Sequence, residues 1–279
     1  MYLFLIFNVL ALSSCDNESH LNPSRKQVFY NVKYGTHWRH SMDIVLPENR
    51  NTNTPVVIFI HGGAWVAGSK EVFSTEINLF ADAGIACATM NYRYASDIAD
   101  VHHPALPEDI ALAVDFVASK ADVWDISDNR FGLVGHSAGG HLALITSYAF
   151  NTGRIKACAA WAGPLNFTDS DQLNIDLAPE MLEVYMGFPL VSTVDTLKYR
   201  QASPFHAVNS STVPTLLVYA TNDEAVPFSN AQRMEQKLQN LQLNYQFVTL
   251  SGATHIWTGQ YLQTARNSTL SWFQGTLND

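Results

Sequence analysis

Arg130-Phe131-Gly132-Leu133-Val134 runs without a break into Gly135-His136-Ser137-Ala138-Gly139, and His141-Leu142-Ala143-Leu144-Ile145-Thr146 follows. The first run is short and apolar, as a buried strand is; the last is a compact helical stretch. Between them stands a serine with a glycine two residues away on either side. A serine on a sharp strand-to-helix turn must take a strained backbone, and the flanking glycines leave room for that turn, so the hydroxyl projects into a cleft. The small Ala138 lets its own N–H face the same point. A glycine-rich turn with an incidental serine is the alternative, and the strand before and helix after weigh against it.

Outward from this turn, β-like runs alternate with helical patterns, which predicts one sheet covered by helices. Gln27–Lys33 and Met42–Leu46 read as an opening pair of strands, and Pro55–Ile60 as a central strand buried on both faces. Ile77, Leu79 and Phe80 sit in a helix stopped by Gly84, before a strand at Ile85–Met90. Pro107 opens a helix with Ile110, Ala113, Val114 and Val117 on one face. Further strands are expected at Ile155–Trp161, Val213–Ala220 and Tyr245–Leu250. Ser229 and Gln232 form a capping-box pattern for a helix ending near Asn240, and a last helix carries Tyr261, Leu262, Ala265, Thr269, Trp272 and Phe273. Residues 164–205 lack a clean period and read as an insertion over the site.

The 279 residues are 47% hydrophobic and 15% charged, enough for a large core and too little charge for disorder. With 16 Lys+Arg against 25 Asp+Glu, and no basic cluster, nucleic acid is not an expected partner. Cys15, Cys87 and Cys158 have no metal-ligand spacing, so no metal is expected, and no cofactor is implied.

His61-Gly62-Gly63-Ala64-Trp65 directly follows the central strand, where a glycine pair lets backbone N–H groups approach a substrate. Together with the serine turn it resembles the α/β-hydrolase superfamily, in particular serine esterases with an HGG oxyanion motif. Asp43–Pro47, Asn91–Tyr94, Ala202–Pro204 and Asp223–Pro227 look like further landmarks in the family's order. The resemblance implies a mostly parallel eight-stranded sheet with helices on both faces and a modest cap insertion. It also implies an acid after the seventh strand and a histidine after the eighth, positions that Asp223 and His255 fill. Glu224, one step along the same loop, is expected to be solvated. Gly63, Ala64 and Ala138 would supply oxyanion donors, and Trp65, Trp161 and Trp257 would line a substrate pocket or else be plain core. His136 and His141 read as packing residues, and His102 and His103 as cleft residues or a solvated loop. In the family's strand order Cys87 and Cys158 lie too far apart to be bridged.

The implied activity is carboxylic-ester hydrolysis on short-chain or acetyl and feruloyl-type esters, with a small-molecule ester as the partner. An arylformamidase related to kynurenine formamidase is the alternative, although that group resembles HGGYW where this chain has Ala64. A binding protein on a hydrolase scaffold is the alternative from another class; it would be expected to have lost a triad residue.

Residues 1–15, MYLFLIFNVLALSSC, have the length of a signal-peptide core and are too short to span a bilayer of roughly 20 helical residues. Leu12-Ser13-Ser14-Cys15 resembles the lipobox of bacterial lipoproteins, which implies a lipidated Cys15, an extracytoplasmic place at a membrane, and a polar tether over residues 16–26; plain secretion is the alternative. Mass spectrometry of the mature protein should therefore find residues 1–14 removed and a diacylglyceryl group on Cys15. Fully soluble protein retaining residues 1–14 would contradict this.

Overall fold

The computed structural model describes residues 21–96, 98–176 and 178–278. Residues 1–15, with the expected signal segment and Cys15, lie outside them. Eight strands form one sheet: β1 Gln27–Lys33, β2 Ser41–Leu46, β3 Val56–Ile60, β4 Ala86–Asn91, β5 Phe131–His136, β6 Ile155–Trp161, β7 Thr215–Ala220 and β8 Tyr245–Leu250. Their order is β1-β2-β4-β3-β5-β6-β7-β8. β1 and β2 pair antiparallel, as do β2 and β4, and every later pairing is parallel. This is the arrangement of the α/β-hydrolase fold. β3 is buried along its whole length, whereas β8, at the edge, is buried only in part.

The helices are α1 Ser74–Asp82, α2 Ala105–Ser119, α3 Ala121–Trp124, α4 Ala138–Ala149, α5 Ser170–Leu173, α6 Ala178–Met186, α7 Thr193–Gln201, α8 Pro204–Ala207, α9 Phe228–Asn240 and α10 Gly259–Thr276. Side-chain alternation along the strands assigns them to two faces. Val57, Phe59, Ala159 and Trp161 meet α1 and α10 through Ile77, Phe80, Ala265 and Phe273. On the other face Ile58, Ile60 and Leu133 meet α2 and α4, and Leu217 and Tyr219 meet α9. Cys87 on β4 and Cys158 on β6 are both free and buried, with β3 and β5 between them.

Several boundaries differ from the sequence reading. α2 begins at Ala105, so Pro107 sits within its first turn, where its missing N–H costs nothing. Val213 and Pro214 precede β7, which starts at Thr215. The Ser229 capping box does not form: α9 starts at Phe228 with Pro227 as N-cap, and the Ser229 hydroxyl donates instead to Asp171 at 2.6 Å. That bond, with Arg233 pairing to Asp169 and Asp171, fastens the insertion to α9.

The expected tether is held to the domain from residue 21 onward. Arg50, only 4% exposed, donates to the carbonyls of Trp124 (2.6 Å), Arg25 (2.8 Å) and Pro47 (3.2 Å) and to Gln27 Oε1 (2.6 Å). Removing it takes the guanidinium away from the buried Trp124 and Pro47 carbonyls and from the partly buried Arg25 carbonyl. Arg50→Ala should cost about 3 kcal/mol, lowering the melting midpoint by roughly 6–12 °C, and should speed tryptic cleavage at Arg25 and Lys26. An unchanged melting curve would refute that role.

Candidate active site

Ser137 follows β5 directly and caps α4 with φ 56° and ψ −126°, a left-handed conformation that a serine adopts only under constraint. Its N–H donates to the Trp161 carbonyl at the end of β6, at 2.8 Å. Close backbone contacts supply the rest. A Cβ on Gly139 would lie 2.0 Å from the Ile60 carbonyl oxygen, and one on Gly62 would lie 2.7 Å from the His136 carbonyl and 3.1 Å from Ser137 Cβ. Only glycine lets α4 dock on the end of β3 and the His61–Gly68 loop lie against the serine turn.

Asp223 stands after β7 and His255 after β8, and the structure brings both to Ser137. The His255 Nε2 is 2.9 Å from Ser137 Oγ, and its Nδ1 is 2.9 Å from Asp223 Oδ2. The other carboxylate oxygen, Oδ1, accepts the N–H groups of Ala225 (2.9 Å) and Val226 (2.8 Å). An oxygen held this way cannot rotate off the imidazole. The Asp223 side chain is fully buried, while 12% of the His255 side chain remains exposed, so the ring is the member that a substrate reaches.

Glu224 is exposed, as expected, but it also has a partner. Its Oε2 accepts the backbone N–H of His255 at 3.2 Å, so it ties the β7 loop to the histidine loop.

The His61–Gly68 loop rests on a cluster that sequence reading did not identify. His61 is fully buried, stacks on Tyr92 at 4.3 Å, donates from Nδ1 to the Gly62 carbonyl at 2.7 Å, and faces the Arg39 guanidinium with Nε2 at 3.3 Å. Arg39 also donates to the carbonyls of Tyr92 (2.6 Å) and Gly68 (3.2 Å). Arg39 is 22 residues from His61 in sequence and belongs to no motif, which is why nothing signalled it. Above this base Gly63, Ala64 and Trp65 take φ values of 116°, 48° and 64°, and the N–H groups of Val66 and Ala67 both close on the Gly63 carbonyl.

Two cavities open on either side of Ser137 and share Ala64 and Ala225. The smaller, about 200 Å³, is walled by Trp65, Ala138 and the insertion residues Pro164, Ile175, Met181 and Leu182. The larger, about 840 Å³, is walled by Gly63, Phe73, Trp161, His255 and Trp257. Each of the three tryptophans therefore both packs in the core and faces a cavity.

His136 and His141 hold parts of the site in place, over long sequence separations. His136 Nε2 donates to the His255 carbonyl at 2.9 Å. His141 accepts the Trp65 indole N–H at Nδ1 (3.2 Å) and donates from Nε2 to the Ala202 carbonyl (2.9 Å), fixing one neutral tautomer. His102 and His103 line neither cavity and are half-buried: they bond to the Val184 carbonyl (2.9 Å) and the Tyr185 hydroxyl (3.0 Å), joining their loop to α6. Among the described residues no group of three or more His, Cys, Asp or Glu is arranged to hold a metal.

Burial pushes the pKa of His61 and His136 down to about 4 and that of His141 to about 3. These rings stay neutral in the folded protein and take up protons on unfolding below their ordinary value near 6.5. The unfolded chain then binds more protons, so stability is full above about pH 6.5 and is lost as the pH falls toward 4. The urea midpoint should accordingly fall between pH 7 and pH 5, where most carboxylates are still ionised. A flat profile over that interval would show that these rings titrate normally.

Comparison with known proteins places the chain. The BD-FAE family model matches residues 42–238. Isoprenylcysteine alpha-carbonyl methylesterase of Arabidopsis thaliana is 26% identical over 264 residues, 85% of this chain and 58% of that protein. Esterase LipC of Mycobacterium tuberculosis is 25% identical over 242 residues, 80% of this chain and 58% of that one. The chain thus spans a little over half the length of these curated relatives. Among solved structures, a truncated carbohydrate esterase from gut microbiota superposes with a TM-score of 0.75, over 91% of this chain and 99% of that one at 20% identity, a likeness of fold. The chain belongs to the BD-FAE family and has the α/β-hydrolase fold.

Proposed function

We propose that this protein is a serine carboxylic-ester hydrolase working through an acyl-enzyme. One observation carries the reading: Ser137, His255 and Asp223 form a single hydrogen-bonded line, with both steps 2.9 Å, that ends in a cavity. Ser137 Oγ attacks the ester carbonyl while His255 Nε2 takes its proton; the imidazolium then protonates the leaving alcohol, and water, activated by the same ring, clears the acyl group. Asp223 holds the tautomer with Nδ1–H and stabilises the charged ring. The N–H groups of Gly63, Ala64 and Ala138 stabilise the tetrahedral oxyanion. Two facts support this: all three residues line the cavities beside Ser137, and Ala138 is the first residue of α4, whose N–H has no partner within the helix. One such donor is worth on the order of 10²–10³ in rate in comparable sites.

Ser137→Ala should keep the fold and abolish turnover of p-nitrophenyl acetate. Asp223→Asn should lower kcat by about 10⁴ with little change in melting, because the amide favours the wrong tautomer of His255. Glu224→Gln keeps an acceptor for the His255 N–H and should stay within about threefold of wild type. Should Glu224→Gln prove the more damaging of the two, the acid has been misassigned.

A further inference from the structure

The two cavities at Ser137 are not equivalent, because His255 lines only the larger. Resting on the acyl-transfer reading, we propose that the larger cavity receives the alcohol side of the ester and the smaller one the acyl side. The enzyme then selects esters that join a small acyl group to a bulky, apolar alcohol.

The assignment follows from where a proton must go. When the tetrahedral intermediate collapses, the bond between the carbonyl carbon and the alcohol oxygen breaks, and that oxygen takes the proton held on His255 Nε2. It must lie within hydrogen-bond reach of Nε2, so the group attached to it extends into the space that His255 borders. The acyl substituent occupies a different corner of the same tetrahedral carbon. It turns toward the other cavity opening at Ser137, between Trp65, Ala138 and the insertion.

That second space is small; its lining is mainly apolar, with Gln172, Asp176 and Glu224 also on it, and its Trp65 wall is tightly packed. Trp65 stacks on Tyr185 at 4.7 Å and donates its indole N–H to His141, and Tyr185 and His141 are fully buried. Leu182 is 2% exposed and the half-buried Met181 stands beside it. An apolar cavity of roughly 150 Å³ admits a benzene ring. A space of about 200 Å³ therefore holds an acyl group of roughly six to eight heavy atoms.

The alcohol side is about four times larger by volume and mostly apolar, walled by Phe73, Trp161, Trp257 and Leu262. At its mouth stand Val72, in the short 3₁₀ helix Lys70–Phe73, and Ile256, in the loop after β8, exposed by 61% and 69%. Covering such side chains favours an apolar occupant. Glu76 lines the same cavity, but its carboxylate is paired with Arg266 at 2.5 and 2.9 Å, so the pair places no uncompensated charge there.

Two isomeric esters separate the sides while holding apolar surface constant: naphthylethyl acetate, with the ring on the alcohol, and ethyl naphthylacetate, with it on the acyl group. The wild type should show a kcat/KM at least about tenfold higher for the acetate, and Met181→Ala, which enlarges the small cavity, should narrow that ratio by roughly tenfold. Equal rates or the reverse preference in the wild type would overturn the assignment even if Met181→Ala failed to fold. If neither isomer nor p-nitrophenyl acetate were turned over, the acyl-transfer reading itself would fall, and this inference with it.

Discussion

A serine held at φ 56° between a strand and a helix is the constraint on which the rest of the molecule is organised. Such a conformation costs on the order of 1–3 kcal/mol and persists only where the surroundings over-determine it. Here they do so with backbone on three sides: the β6 carbonyl that accepts the Ser137 N–H, the β3 carbonyl that would collide with any Cβ on residue 139, and the Gly62 backbone against residues 136 and 137. Each contact requires parallel strands in register at their carboxyl ends, so the whole central sheet stabilises one hydroxyl.

The same geometry explains how residues far apart in sequence meet. Ser137 and His255 are separated by 118 positions, and His255 and Asp223 by 32, yet each follows the end of a parallel strand, where loops of an open α/β sheet converge. Neutral histidines then act as struts. His61 supports the glycine loop, His136 holds the His255 backbone, and His141 sets Trp65 against the insertion. Burial deprives all three of a proton, which suits them to structural hydrogen bonds rather than acid–base work.

Much of this was legible in the sequence, for physical reasons. Strand β3 declares itself because five consecutive apolar residues must be buried on both faces, and the serine turn because its glycines serve contacts that nothing larger permits. Asp223 and His255 were placed by their order after strands and by resemblance. What stayed hidden depends on distant partners. Nothing adjacent to Arg39 or Arg50 reveals that each holds backbone carbonyls brought from elsewhere in the chain. Ser229 carries a capping pattern, but a carboxylate 58 residues away competes for its hydroxyl. Glu224 looked like an ordinary exposed loop residue because its acceptor role exists only once the β8 loop has folded beside it.

The central claim is that Ser137 becomes acylated through the hydrogen-bonded line it shares with His255 and Asp223. Rapid quenching of the protein with a slowly deacylated ester, followed by peptide mass spectrometry, tests it directly. The account predicts one acyl group on the peptide that contains Ser137, absent from a His255→Ala variant that remains folded. Steady turnover of the ester with the label on another residue, or with no dependence on His255, would contradict it.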